Sequence, residues 1–269
     1  MKIIHRVSTK STARELGAFE KAGFSLRELG DNGRGVLTFE VDERDSRWPS
    51  VALLVKELRA VDIVSTKFTD AELKNAKFLG VLSSWHHGYP QPSDDFGYRE
   101  LTYDLSEYCE SCGIGKRQKA PFRFSAAPTW GRKSILQLNW IFDEYFVKPD
   151  VFESVFKPFG IGNRPVLLHR TGAKLNSVVQ LEISSMVELE MKDRPFKDCL
   201  RCSRRKYSPE HHGFFPAPSG TDSAIFRSTQ YLGSGANAFH AVLVSNALYG
   251  SIVENNITGI AFQACAGRA

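Results

Sequence analysis

Cys109-Glu110-Ser111-Cys112-Gly113 and Cys199-Leu200-Arg201-Cys202-Ser203 hold four of the chain's five cysteines. Each is a C-x-x-C knuckle, a tight turn that presents two sulfurs from one loop, and two knuckles supply the four thiolates of a tetrahedral zinc site. The 86 residues between them, Gly113 to Asp198, far exceed the roughly 15–20 of a compact zinc ribbon. Such a site staples distant segments of a larger fold. A redox dithiol needs only one C-x-x-C, beside a βαβ pattern, whereas two match the coordination number of structural zinc. With Cys109, Cys112, Cys199 and Cys202 filling the tetrahedron, no position is left for water or substrate. The expected Zn²⁺ is therefore structural, and metal catalysis is not expected.

Around the knuckles lies much of the basic excess: Lys116, Arg117, Lys119 and Arg123 after the first, and Lys197, Arg201, Arg204, Arg205 and Lys206 about the second. Zinc with four thiolates carries a formal charge of −2, so nearby cations are stabilising neighbours of the cluster. The same residues also suit a phosphate-binding patch, and charge alone does not separate the two readings. The net charge of +5 is modest. At 269 residues, 42% hydrophobic and 24% charged, the chain buries a substantial core without depending wholly on metal. Charge enters at Lys2 and Arg6, too early for a signal peptide, and no apolar run reaches the roughly 18 residues of a membrane span. Reduced thiols in a cytoplasmic protein without a membrane partner are the expectation.

Periodicity predicts an α+β protein: a mixed sheet with packed helices, and the split zinc-ribbon-like site joining distant segments. Strands are expected at Ile3–Val7, at Val36–Val41 after the turn Gly30-Asp31-Asn32-Gly33, and near Val61–Ser65. Helices are expected over Thr12–Gly23 and Ser50–Arg59. A third carries Leu73, Ala76 and Phe78 behind the capping box Thr69-Asp70-Ala71-Glu72. Further strands are expected at Phe122–Phe124, Gln180–Ile183 and His240–Val244. Phe146–Leu168 also lays without gaps on Leu243–Cys265: Phe146-Val147 on Leu243-Val244, Val155-Phe156 on Ile252-Val253, Gly162 on Gly259. Both segments read as strand, short helix, glycine exit, strand, from shared secondary structure or from duplication. The expected division is an N-terminal α+β region, 1–104, and a knuckle-bearing region, 105–269, with two strand-helix units; one continuous domain is the alternative.

The other chemical residues form no catalytic constellation. His86-His87-Gly88-Tyr89 and His211-His212-Gly213-Phe214 share the form H-H-G-aromatic, but neither sits in a metalloprotease spacing. They read as polar loop residues packing near the metal region. Cys265 reads as a buried small hydrophobe. Gly233-Ser234-Gly235-Ala236-Asn237 lacks the Lys-Ser/Thr of a phosphate loop and precedes a strand, so it reads as a turn. Trp130, Trp140 and Phe142 suit core or interface, and core is the default reading.

The two knuckles, with Val242-Leu243-Val244-Ser245 and Ile257-Thr258-Gly259-Ile260-Ala261-Phe262, resemble the bacterial double-CXXCG motif family, some members of which are immunity proteins of polymorphic toxin systems. The closing phrase is similar to the ends of other toxin-immunity families. The resemblance runs from about Tyr108 to Phe262; Ser203 stands where the family's second knuckle has glycine. It implies a non-enzymatic protein that neutralises a cognate toxin by binding it. A nuclease toxin would favour an acidic inhibitor, and only Asp42–Asp45 and Glu182–Glu190 concentrate acid. The alternative is a zinc-ribbon nucleic-acid-binding protein using the knuckle cations.

Overall fold

The computed structural model describes residues 1–30, 35–209 and 212–267. The expected turn residues Asp31, Asn32 and Gly33 lie outside them, as does His211. The chain forms two compact units: Met1–Glu72 with Glu210–Phe214, and Leu73–Pro209 with Phe215–Ala269.

The first unit holds β1 (Lys2–Lys10), α1 (Ala13–Lys21), β2 (Val36–Asp42), α2 (Trp48–Leu58) and β3 (Val61–Lys67), and α3 (Asp70–Asn75) runs out of it. The strands form an antiparallel sheet in the order β2-β1-β3, with Val7 opposite Phe39 and His5 opposite Val41. Successive side chains of a strand point to opposite faces, so Leu37, Phe39 and Val41 share one buried face. Phe19 of α1 and Val51 of α2 pack on it. The capping box forms as its residue types demand: Thr69 N donates to Glu72 Oε2 (2.8 Å) and Glu72 N to Thr69 Oγ1 (3.3 Å). Its helix is shorter than expected. Phe78 does not extend it; it opens β4 (Phe78–Ser83), because β4 is paired on both sides by strands from the end of the chain. That pairing also places residues 73–104 in the second unit, so the division falls at 72/73 and not at 104/105.

The second unit continues with α4 (Tyr98–Thr102), β5 (Tyr103–Asp104), β6 (Arg117–Gln118), β7 (Arg123–Phe124), β8 (Ile135–Leu136) and β9 (Phe146–Val147). Next comes α5 (Pro149–Val151), which widens into a π turn (Phe152–Phe156) and tightens into a 3₁₀ turn (Lys157–Phe159). Then follow β10 (Gly162–Leu168), β11 (Lys174–Glu182), β12 (Met186–Val187), β13 (Phe196–Asp198), β14 (Arg205–Tyr207), β15 (Ile225–Leu232), β16 (Phe239–Ser245), α6 (Asn246–Glu254) and β17 (Ile260–Ala264). One sheet runs β7-β10-β11-β9-β8. The other runs β13-β14-β15-β16-β4-β17, with β12 also on β15. Both are mixed, since β7 pairs parallel with β10, and β14 and β12 pair parallel with β15.

The internal echo has a structural counterpart. β9 and β10 flank β11, and β16 and β17 flank β4, with antiparallel pairing throughout. Each echoing segment is thus a strand-helix-strand unit whose two strands are separated by one antiparallel strand. Their helices meet in a single core, with Phe152, Val155 and Phe156 from one and Leu248, Tyr249 and Ile252 from the other. Gly259, at the second exit, passes so close to β8 that an added Cβ would lie 2.0 Å from Ile135 O. Only glycine fits there. No described helix is long and apolar enough to cross a membrane.

Candidate metal centre

The four cysteines named from spacing converge. Each knuckle is the bend of a short hairpin, β5–β6 for the first and β13–β14 for the second. The local bonding repeats: Cys109 N donates to Ile114 O (2.9 Å) and Cys199 N to Arg204 O (3.0 Å). Gly113 N returns to Cys109 O (2.7 Å), as Ser203 N does to Cys199 O (2.8 Å). Closing this turn puts the fifth residue in the left-handed region, at φ 81° for Gly113 and 58° for Ser203. This accounts for the glycine preference after a knuckle. Serine serves at 203 with the cost of a left-handed L-residue, on the order of 1–2 kcal/mol. At 113 packing adds a second constraint, because a Cβ would lie 2.4 Å from Ala236 O.

The sulfurs of Cys109 and Cys199 are 3.8 Å apart and those of Cys112 and Cys202 are 3.7 Å apart; all four lie within 4.8 Å of one another. A disulfide would bring two sulfurs to about 2.05 Å. A tetrahedron of thiolates at about 2.3 Å from its centre has edges of about 3.8 Å, so the spacing fits one ion such as Zn²⁺ held by four sulfurs. The donor set is soft and closed. Among the described residues no other group of His, Cys, Asp and Glu is placed to hold a metal.

Two cations serve this cluster. Arg204 directs Nε at Cys202 Sγ (3.4 Å) and Nη2 at the carbonyls of Glu107 (2.7 Å) and Ile114 (3.3 Å), tying the second knuckle to the first. Hydrogen bonds from Arg204 hold the Cys202 thiol down, to about 6, whereas burial pushes Cys112 up, to about 12. Lys206 is buried, and its ammonium donates to the carbonyls of Cys112 (2.7 Å), Gly235 (2.6 Å) and Asn237 (3.0 Å). The two positive charges match the −2 of a zinc tetrathiolate. The turn at Gly233–Asn237 therefore has a role that its sequence did not announce: its carbonyls receive Lys206, and its backbone walls in Gly113.

Three of the other seven knuckle cations are paired with acids: Arg117 with Glu107 (2.7 Å), Arg205 with Asp198 (2.9 Å) and Arg201 with Glu110 (3.7 Å). The acidic stretches are likewise neutralised in part, by Arg44 on Asp42, Arg47 on Asp45 and Arg164 on Glu182. His86, His87 and His212 do not join the cluster. His87 packs on Phe124 and Trp85, and His212, in the first unit, pairs with Glu43 (3.2 Å). Burial keeps His86 below its ordinary value. Cys265 is buried among Phe78, Phe215 and Leu243, and burial pushes its thiol up to about 12, which suits a packing role. Trp130 is half-buried, its indole donating to Ser177 O (3.0 Å), and Trp140 packs among Tyr89, Phe96 and Tyr98, whereas Phe142 is exposed.

The fold and site together define an α+β chain with a two-hairpin, four-cysteine centre. No family model matches the sequence, and no curated protein matches it.

Proposed function

We propose that this chain is a non-enzymatic protein-binding module, an immunity protein that neutralises a cognate bacterial toxin in the cytoplasm, with Zn²⁺ on Cys109, Cys112, Cys199 and Cys202 as a structural clamp. The observation that carries the protein-binding reading is Leu200. It stands between two ligands, at the tip of the second knuckle, and its side chain is fully exposed. Phe196, on the same hairpin, is 47% exposed. A clamp at the bend of the hairpin immobilises this apolar tip before any partner arrives, which reduces the ordering cost of binding. Covering a leucine side chain is worth about 1.5–3 kcal/mol.

The test is co-expression of this chain with the product of any toxin gene that adjoins its own, scored by cell growth. The wild-type chain is expected to restore growth, and Leu200→Glu to weaken toxin binding at least tenfold by calorimetry while keeping its metal. No protection by the wild type, or undiminished binding by Leu200→Glu, would count against this reading.

The nucleic-acid alternative rests on the knuckle cations; the pairing of Arg117, Arg201 and Arg205 with Glu107, Glu110 and Asp198, and the turning of Arg204 and Lys206 to the cluster, weigh against it. It predicts steeply salt-dependent binding to DNA or RNA, weakened by replacing Arg205.

A further inference from the structure

Beside the first knuckle, within the second unit, lies a cavity of about 570 Å³, in the size range of small-molecule sites. Its wall is built from elements distant in sequence: the hairpin end at Lys116–Gln118, the segment Trp140–Glu144, the end of β11, and β15 with the start of β16. Its floor is a closed polar network. Glu144 is buried and accepts from Arg227 Nη2 (2.7 Å) and Gln180 Nε2 (2.7 Å). Gln180 and Gln118 exchange hydrogen bonds of 2.7 and 2.9 Å. Arg164 is paired with Glu182 (2.8 Å), and Arg117 is turned to Glu107 (2.7 Å).

That pairing leaves two charges on the wall, of opposite sign. The Lys116 ammonium has neither a hydrogen bond nor an ion pair among the described residues; it lies 5.5 Å from the ring of Tyr103 and within the fields of Asp143, across the cavity wall, and of Arg99. Asp143 accepts one N–H, from His240, through Oδ2 (3.1 Å), and Oδ1 has no bond among the described residues. Two further polar atoms, Arg227 Nε and His240 Nδ1, are buried without partners. Leaving a buried polar group unpaired costs about 1–3 kcal/mol. Phe142 and Phe239, in ring contact at 5.2 Å, form an aromatic rim.

We propose that this cavity binds a small zwitterion, an amino acid or dipeptide: its carboxylate meets Lys116, its ammonium meets Asp143, and its apolar side chain lies on the Phe142–Phe239 rim. Neither an anion nor a cation alone uses both unpaired charges, and an apolar ligand uses neither. The site is independent of toxin binding, so its failure leaves the protection assay untouched.

Calorimetric titration of the full metal-loaded chain with L-phenylalanine and with the dipeptide Ala-Phe tests it, alongside 3-phenylpropionate and 2-phenylethylamine, which each keep one of the two charges. Saturable binding of one zwitterion, at least tenfold stronger than either single-charge probe, is the expected result. Lys116→Met, which removes no hydrogen bond of the fold, is expected to weaken binding at least tenfold. Asp143→Asn, which keeps an acceptor for His240 N–H, is expected to do the same with zinc content and melting temperature unchanged. No saturable binding of either zwitterion up to about 10 mM, beyond the weak millimolar range, would overturn the proposal. So would equal binding of 3-phenylpropionate, or undiminished affinity in Lys116→Met.

Discussion

At Gly113 and Ser203 one conformational demand meets two surroundings. Both residues close a knuckle with positive φ, but only Gly113 has backbone against the place a Cβ would occupy. Gly113→Ala is therefore expected to cost more than about 2 kcal/mol in chemical denaturation, a left-handed penalty with a steric clash added. Ser203→Gly is expected to stay within about 1 kcal/mol of wild type, since relief of strain is offset by a freer unfolded chain. The knuckles were legible because everything that defines them lies within five residues. Lys206 was not. Its three carbonyl partners come from Cys112, Gly235 and Asn237, and a lysine in a basic run carries no mark of burial. Lys116, Asp143, Arg227 and His240 were hidden for the same reason, each arriving from a different segment.

Among the elements, the strands that alternate and the helices with caps were readable, and the misreadings have physical causes. Leu73, Ala76 and Phe78 suit a helical face, yet Phe78 enters β4 because pairing from β16 and β17 outweighs local pattern. The echo of Phe146–Leu168 in Leu243–Cys265 was visible as apolar spacing, while the strand inserted within each unit was not. Only the second helix of the pair has a side-chain N-cap, Ser245 Oγ accepting from Leu248 N (3.3 Å). Ser245→Ala is expected to lower stability by about 1 kcal/mol in thermal or urea unfolding.

In the first unit, hydrogen bonds from Arg47 to Asp45 and from Ser25 and Arg47 to Glu28 hold both carboxyls down, to about 2, from ordinary values of 3.8 and 4.5. A depressed carboxyl contributes its stability above the ordinary value and loses it as pH falls through the lowered one. Unfolding followed between pH 5 and pH 2 should therefore show falling stability as these groups protonate. Arg47→Met should flatten that dependence.

For the whole molecule, the central claim is architectural: a closed four-sulfur centre joins two hairpins separated by most of a mixed sheet. Removing the ion should therefore loosen the fold. A chelator competing at neutral pH is expected to lower the melting temperature. Cys112→Ser is expected to lose metal and stability together, because metal affinity in such a site is folding free energy. The division of the chain at 72/73 was not legible, since β4 belongs to a sheet completed only by β16 and β17 at the other end of the sequence. X-ray absorption at the zinc edge of the purified chain tests the account most directly. It predicts about one zinc per chain with four sulfur neighbours at about 2.3 Å and no nitrogen or oxygen ligand. Fewer than four sulfurs, a light-atom ligand, or metal-free protein with its cysteines oxidised to disulfides would contradict it.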